Sequence, residues 1–289
     1  ICVAVYTISE TDKSDKECAI FNLAHLLFLI RKQIKKQYMN YLFPQQEQQN
    51  KKTLVIIGNG FDLASGIKSS YNNFKQWLQM NDKYRHLISL MDIFFSNQRD
   101  VWGDIEKALG EYDEDSIVEY CKPDEEIDYD HPTRSMAAVE DSPEWIFRPV
   151  LDEFIEAFKD WVDSIDIAKA GKVRELPVEC KYLTFNYTET LEVIYGIPAS
   201  NILHIHGSRI LDNEYIIGHN NFRNPNEAYN DESQMPYLQE TWSKIIEWMN
   251  GLVKDSTFII RQNTDFFSGL YAIEQIVVYG HSFYEVDWP

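Results

Sequence analysis

Four short stretches of this 289-residue chain place chemically capable residues directly after apolar runs. Leu54-Val55-Ile56-Ile57 runs into Gly58-Asn59-Gly60, and Tyr182-Leu183 runs into Thr184-Phe185-Asn186. Ile202-Leu203-His204-Ile205 runs into His206-Gly207, and Ile276-Val277-Val278-Tyr279 runs into Gly280-His281-Ser282. A β-rich apolar run that stops at Gly-x-Gly is how a buried parallel strand hands over to a nucleotide-binding loop. Glycines let the backbone turn sharply and let a phosphate or ribose approach with no Cβ in the way. A helix starting just after would aim free N–H groups at that phosphate. The third glycine of the Rossmann spacing and the Gly-Lys-Ser/Thr of a P-loop are both missing, so Gly58-x-Gly60 also reads as a tight turn without a ligand. The His206 imidazole, with an unperturbed pKa of about 6.5, is suited to accept a proton from water or from a sugar hydroxyl. The Asn186 amide both accepts and donates, so it can orient either group. A His-Gly at a strand end also serves as a plain turn whose imidazole caps backbone carbonyls.

The elements that must position these residues follow from the hydrophobic pattern. Strands are expected over 53–57, 180–185, 202–205 and 276–279, with a short one over 215–217. In an open parallel sheet ligands bind beyond the carboxyl ends of the strands. The Gly58, Asn186, His206 and Gly280 corners are therefore expected along one rim. Between 58 and 179 no strong strand signal occurs. Phe74, Trp77 and Leu78 are spaced for one buried helix face, capped by Ser69 or Ser70. Further helices are expected over 84–97 and 104–120. The cleanest pattern covers 145–165, where Leu151, Phe154, Ile155, Phe158, Trp161, Val162 and Ile165 share one face, with Ser142 as cap and Pro143 in the first turn. A short helix follows Glu189 and ends at Gly196, and two more are expected over 238–249 and 256–270. The fold class expected is α/β, a Rossmann-like parallel sheet with a large helical insertion after the first strand, at about 70–170.

Composition narrows the partners. The formal charge of −19 argues against nucleic acid, whose backbone needs a basic surface, and against an anionic membrane. The apolar stretch 19–30 is too short to span a bilayer. The four cysteines, Cys2, Cys18, Cys121 and Cys180, show no Cys-x-x-Cys spacing, so a zinc site is not expected and reduced thiols in a cytosol are. Ten acids lie within the twenty residues 111–130, without the register of a calcium loop, and read as a solvated segment. His204, His206, His219 and His281 match no metal motif, and no metal is expected. His204 and His206, two apart in a strand, would face one side. Residues 1–50 read as an N-terminal extension and linker that need not belong to the native domain, since the first methionine is Met39. The domain is expected over 51–289. The chain stops soon after the last strand, where a helix would ordinarily follow, so a C-terminal truncation is expected.

The motifs as they stand resemble the bacterial AbiH-type phage abortive infection family. The resemblance rests on Ile57 to Ala64 with Ser70, Tyr71 and Phe74, on Trp102 to Glu106, and on Thr184 to Glu192. It also rests on His204-Ile205-His206-Gly207 and on Gly280-His281-Ser282 with Glu285-Val286-Asp287. A more distant resemblance is to sirtuin-like NAD-binding domains. Gly58-Asn59-Gly60 followed by Ser65-Gly66-Ile67 is similar to their glycine loop, Thr184-x-Asn186 to their Thr-x-Asn-x-Asp, His206-Gly207 to their catalytic His-Gly, and Gly280-x-Ser282 to their late Gly-x-Ser. Thr188 stands where that pattern has an acid, Asp62 where it has a small polar residue, and Lys68 where it has proline. The absence of a zinc module argues against protein deacylation.

The first resemblance implies antiviral defence in a bacterial cytoplasm. The second implies NAD as substrate or ligand, bound by Gly58, Asn59, Gly60, Thr184, Gly207, Gly280 and Ser282. Cleaving the nicotinamide–ribose bond passes through an oxocarbenium-like transition state, so the enzyme must stabilise a cation and deliver a nucleophile. His206 as base, Asn186 as orienting group and Asp62 as a stabiliser of developing positive charge would share that task. Two functions remain open. One is an effector that hydrolyses a nicotinamide nucleotide when infection is sensed. The other is a non-catalytic nucleotide-binding sensor or scaffold acting through a partner protein. The phage trigger is unknown in both.

Overall fold

A computed structural model of the chain describes residues 3–7, 52–95, 100–122, 130, 132–210, 215–230 and 236–282. The apolar stretch 19–30, the acidic residues 123–129 and the motif residues Glu285 and Asp287 lie outside them. Of the 1–50 extension, only 3–7 is described. The chain divides into two units, one of Ile1–Ser69, Ile165–Ile216 and Asp255–Pro289, the other of Ser70–Ser164 and Ile217–Lys254.

The first unit is built on one sheet. Its strands are β1 (Val3–Thr7), β2 (Thr53–Ile57), β3 (Lys181–Thr184), β4 (Ile202–His204) and β5 (Gln275–Tyr279), in the order β1-β5-β2-β3-β4. β5, β2, β3 and β4 run parallel, and β1 pairs antiparallel with β5 at the edge. The fold is thus mixed α/β around four parallel strands. The period-2 alternation of side chains explains why the strands read as unbroken apolar runs, because both faces are covered. Leu54, Ile56, Leu183, Ile276 and Val278 pack on one face with Ile259, Ile260 and Phe267. The helices Ser256–Gln262 and Thr264–Ser268 supply those last three residues. Val55, Ile57, Tyr182, Val277 and Tyr279 pack on the other face with Phe61, Leu191, Tyr195 and Ile197. Each fully buried aliphatic side chain in these layers contributes about 1.5–3 kcal/mol.

Some boundaries differ from the sequence reading. The expected strand over 215–217 is absent: Ile216 N–H donates to the His206 carbonyl at 2.9 Å, a single bond that starts no ladder. The helix expected over 256–270 breaks at Asn263, whose side chain donates back to the Ile259 carbonyl at 2.8 Å. The short helix is Thr190–Val193, and Gly196 closes it with a φ of 68°.

The second unit is helical. Ser70 caps the helix Tyr71–Met80 in a reciprocal box with Asn73, each bond 3.2 Å. Phe74 sits at the centre of an aromatic cluster, with ring centroids 5.0 Å from Trp161, 5.6 Å from Phe158, 5.9 Å from Phe154 and 6.1 Å from Trp102. Ser70→Ala removes one cap bond and should cost about 1 kcal/mol, read from urea unfolding midpoints. An unchanged midpoint would mean that the box does not hold the helix start.

Ser142 does not cap a new helix. The helix Pro132–Ser142 runs through a π turn, Pro143–Phe147, into Arg148–Ser164. Pro143 has no N–H for the Val139 carbonyl. The Ser142 hydroxyl donates to that carbonyl instead, at 2.7 Å. The expected helix over 104–120 is two helices, Ile105–Gly110 and Glu114–Cys121, each capped by an aspartate, Asp104 and Asp113. Glu106 forms a buried ion pair with Lys254 at 2.6 Å.

Candidate functional site

The parallel register sets the site. Tyr279 lies opposite Ile57, Ile57 opposite Thr184, and Thr184 opposite His204, so four strand ends form one row across the sheet. The corners that follow, Gly280, Gly58, Asn186 and His206, continue from that row along one rim. From β2 the chain goes to β3 and β4 on one side, and β5 then returns to β2's other side. The point where strand order reverses therefore lies between the ends of β2 and β5, the usual ligand position in such sheets.

At that point the glycines serve a close approach of two loops. A Cβ on Gly58 would lie 2.6 Å from the His281 Cα and 2.7 Å from the Gly280 oxygen. Gly60 N–H donates to the Gly280 carbonyl at 2.9 Å, Gly58 N–H to the Tyr279 carbonyl at 3.0 Å, and Phe61 N–H to the Gly58 carbonyl at 2.9 Å. The sequence reading expected free N–H groups here for a phosphate. In the structure these three are bonded to protein carbonyls, and the helix Asn59–Ala64 that follows is short. The Asn59 side chain closes onto Ser69, donating to its carbonyl at 3.0 Å and accepting from its hydroxyl at 2.5 Å. Ser282 is exposed.

The Thr-x-Asn corner is locked by its own chemistry. The Thr184 hydroxyl accepts from Asn186 N–H at 3.1 Å, and the Asn186 amide donates to the Gly58 carbonyl at 3.3 Å. Thr184 thereby positions Asn186, and Asn186 ties β3 to the β2 turn. Asp62 is completely buried below it. The Thr188 hydroxyl donates to Asp62 Oδ2, and Thr190 lies 2.9 Å from Thr188. Thr188 and Thr190 thus stand together beside the Asp62 carboxylate, and both help to hold it ionised. Two of the three departures from the sirtuin-like pattern, Asp62 and Thr188, are thus partners in one hydrogen bond.

Burial raises the Asp62 pKa from 3.8 to about 6, against the lowering effect of Thr188, Thr190 and Asn186. A carboxyl whose folded pKa is raised destabilises the fold as pH rises from its unfolded to its folded value. Between pH 4 and 7 wild type should lose roughly 2–3 kcal/mol relative to Asp62→Asn, which has no such titration. Urea unfolding of both proteins at several pH values checks this; parallel curves would show that Asp62 titrates normally.

The two histidines part company. β4 ends at His204 and the chain turns at once, with Gly207 at a φ of 87°, so strand alternation does not reach His206. The expectation that both imidazoles face one side is therefore corrected. His204 Nδ1–H donates to the Asn186 carbonyl at 2.9 Å, and its Nε2 lies 2.9 Å from Glu192. His206 instead packs against Phe185, edge to face at 5.3 Å, and Tyr187 at 6.3 Å. Phe185 also meets His281 at 4.0 Å, so one ring joins the ends of β3, β4 and β5.

Sequence reasoning missed the acids of this rim. Glu192 holds His204, and Glu189 takes Arg209 through Nε at 2.8 Å and Nη2 at 2.6 Å. Glu189 and Glu192 stand in the same stretch as Asn186, and that adjacency was the available signal. Among the described residues no group of three His, Cys, Asp or Glu is arranged to hold a metal ion. No described helix is long and apolar enough to cross a membrane.

The family model for bacteriophage abortive infection AbiH matches residues 54–289. No curated protein and no solved structure matches. The match starts in β2 and takes in all four parallel strands, the rim and the helical unit. The chain belongs to the AbiH bacteriophage abortive infection family.

Proposed function

We propose that this abortive infection protein binds a nicotinamide nucleotide along the rim and hydrolyses it during phage attack. The observation that carries the reading is the register of the parallel strands, which brings Gly58, Asn186, His206 and Gly280 to one edge. The fit to the ligand is uneven. Asp62 Oδ1 and Asn186 Oδ1 are buried and lack a hydrogen-bond partner among the described residues, which suits a sugar hydroxyl. The N–H groups of Gly58 and Gly60 are already bonded, which does not suit a pyrophosphate. The ligand supplies the scissile glycosidic bond. His206 takes the proton of the attacking water or of a ribose hydroxyl. Asn186, fixed by Thr184 and Gly58, orients the group that His206 deprotonates. Asp62, when ionised, stabilises positive charge developing on the ribose.

A second reading rests on the closed β2 and β5 loops. A turn whose N–H groups bond to a neighbouring loop suits a sensor or scaffold that acts through a partner protein. The test is NAD content through phage challenge in bacteria carrying the full-length gene. A fall that accompanies protection is expected of the hydrolase. Level NAD with intact protection would end that reading in favour of the sensor.

A further inference from the structure

We infer that His204 is a positioning residue of the rim, a doubly protonated imidazolium that Glu192 clamps against the Asn186 backbone carbonyl. Both ring nitrogens face oxygen. Nδ1 lies 2.9 Å from the Asn186 carbonyl oxygen, and Nε2 lies 2.9 Å from Glu192 Oε1. A carbonyl oxygen only accepts hydrogen bonds, and so does an ionised carboxylate. A neutral imidazole has one N–H, so either neutral tautomer would turn a bare nitrogen lone pair toward an oxygen. Little water reaches the pair to relieve that repulsion, since the His204 side chain is 3% exposed and the Glu192 side chain 15%. Both contacts are satisfied only when the pair carries two protons. The ordinary pKa values, about 6.5 for an imidazole and about 4.3 for a glutamate carboxyl, put the second proton on the ring.

The neighbouring charges agree with this assignment. Glu192 Oε2 is buried with no hydrogen-bond partner among the described residues, so among them the carboxylate is held through Oε1 alone. Carboxylate and imidazolium then neutralise each other, and neither remains as an uncompensated buried charge. Glu189 is matched in the same way by Arg209. The acid that remains is Asp62, and the charge on His204 favours its ionised form. A carboxylate on one ring nitrogen sets what the other nitrogen does. Here the other nitrogen donates to the carbonyl of Asn186, whose own N–H is bonded to Thr184 and whose amide is bonded to the Gly58 carbonyl. The Asn186 corner is therefore fixed from β3, from the β2 turn and, through His204, from the end of β4.

Nitrogen NMR of the isotopically labelled full chain at pH 7 reads the ring directly. Wild type should show both His204 nitrogens protonated. In Glu192→Gln the amide can donate to Nε2, so Nε2 should be bare and Nδ1 still protonated. A bare His204 nitrogen in wild type would overturn the proposal. Two further variants separate the two bonds. His204→Asn puts an amide nitrogen near the place of Nδ1 and keeps the bond to the Asn186 carbonyl, whereas His204→Gln puts one near Nε2 and keeps only the Glu192 contact. The Asn186 amide resonances should therefore move in His204→Gln and stay in His204→Asn. On the hydrolase reading, nicotinamide release per folded protein should fall roughly 10- to 100-fold in His204→Gln and less than about threefold in His204→Asn. Equal effects of the two variants on the Asn186 resonances would overturn the clamp. Should neither His204 variant fold, the wild-type and Glu192→Gln spectra decide. A wild type that releases no nicotinamide, with both nitrogens protonated and the Asn186 resonances moving as expected, would overturn the hydrolase reading and leave the clamp standing.

Discussion

His206→Ala should lower nicotinamide release in phage-challenged cells by about 10²–10⁴-fold, the usual contribution of a positioned general base. The imidazole stands at the end of β4, the outermost parallel strand, held by Phe185 and Tyr187 in place of the strand ladder. Alanine should leave the sheet intact, because His206 lies in the turn beyond the strand. Asn186→Ala should also slow release, through lost positioning of water or hydroxyl. It should cost stability as well, since it frees the Gly58 carbonyl. Nicotinamide measured against matched protein levels separates the two variants. Unchanged release from His206→Ala would remove His206 from the chemistry.

Gly280→Ala should cost roughly 4 kcal/mol or more, in the range reserved for severe backbone and packing faults. Two effects add. Gly280 has a φ of 67°, which a side chain strains. A Cβ there would lie 2.2 Å from the Phe61 nitrogen and 2.6 Å from the Gly60 carbonyl carbon, both backbone atoms that cannot swing aside. The β2 and β5 loops would have to separate, breaking the bond from Gly60 N–H to the Gly280 carbonyl. Gly66→Ala is the control. Its φ of 87° carries similar strain, but no atom lies within 4 Å of the added Cβ, so it should cost about 1 kcal/mol. Chemical denaturation of both variants decides. Equal losses would show that strain, and not the clash, governs Gly280.

The strands were legible because parallel strands buried on both faces read as short apolar runs. Leu54 to Ile57 and Ile276 to Tyr279 left no other reading. The rim was legible for the same reason, since each run stopped at a polar or glycine residue. What the glycines do was not legible. Gly58-x-Gly60 can admit a ligand or another loop, and only the three-dimensional approach of Gly280 distinguishes them. The Asp62–Thr188 bond was equally hidden, because its partners lie 126 residues apart. The continuous helix through Pro143 was missed because proline ordinarily signals a start. The compensating Ser142 bond to Val139 is a side-chain event that helix periodicity does not register.

The proposed nicotinamide nucleotide would lie along the rim formed by the ends of β5, β2, β3 and β4. A crystal structure of the protein soaked with NAD tests it most directly. Density is expected along the rim, with the nicotinamide ribose beside Asp62 and Asn186 and its reacting carbon within reach of His206. Gly280 and His281 are also expected to be displaced from Gly58 and Gly60. NAD bound away from these strand ends, or a rim unchanged at saturating NAD, would contradict it.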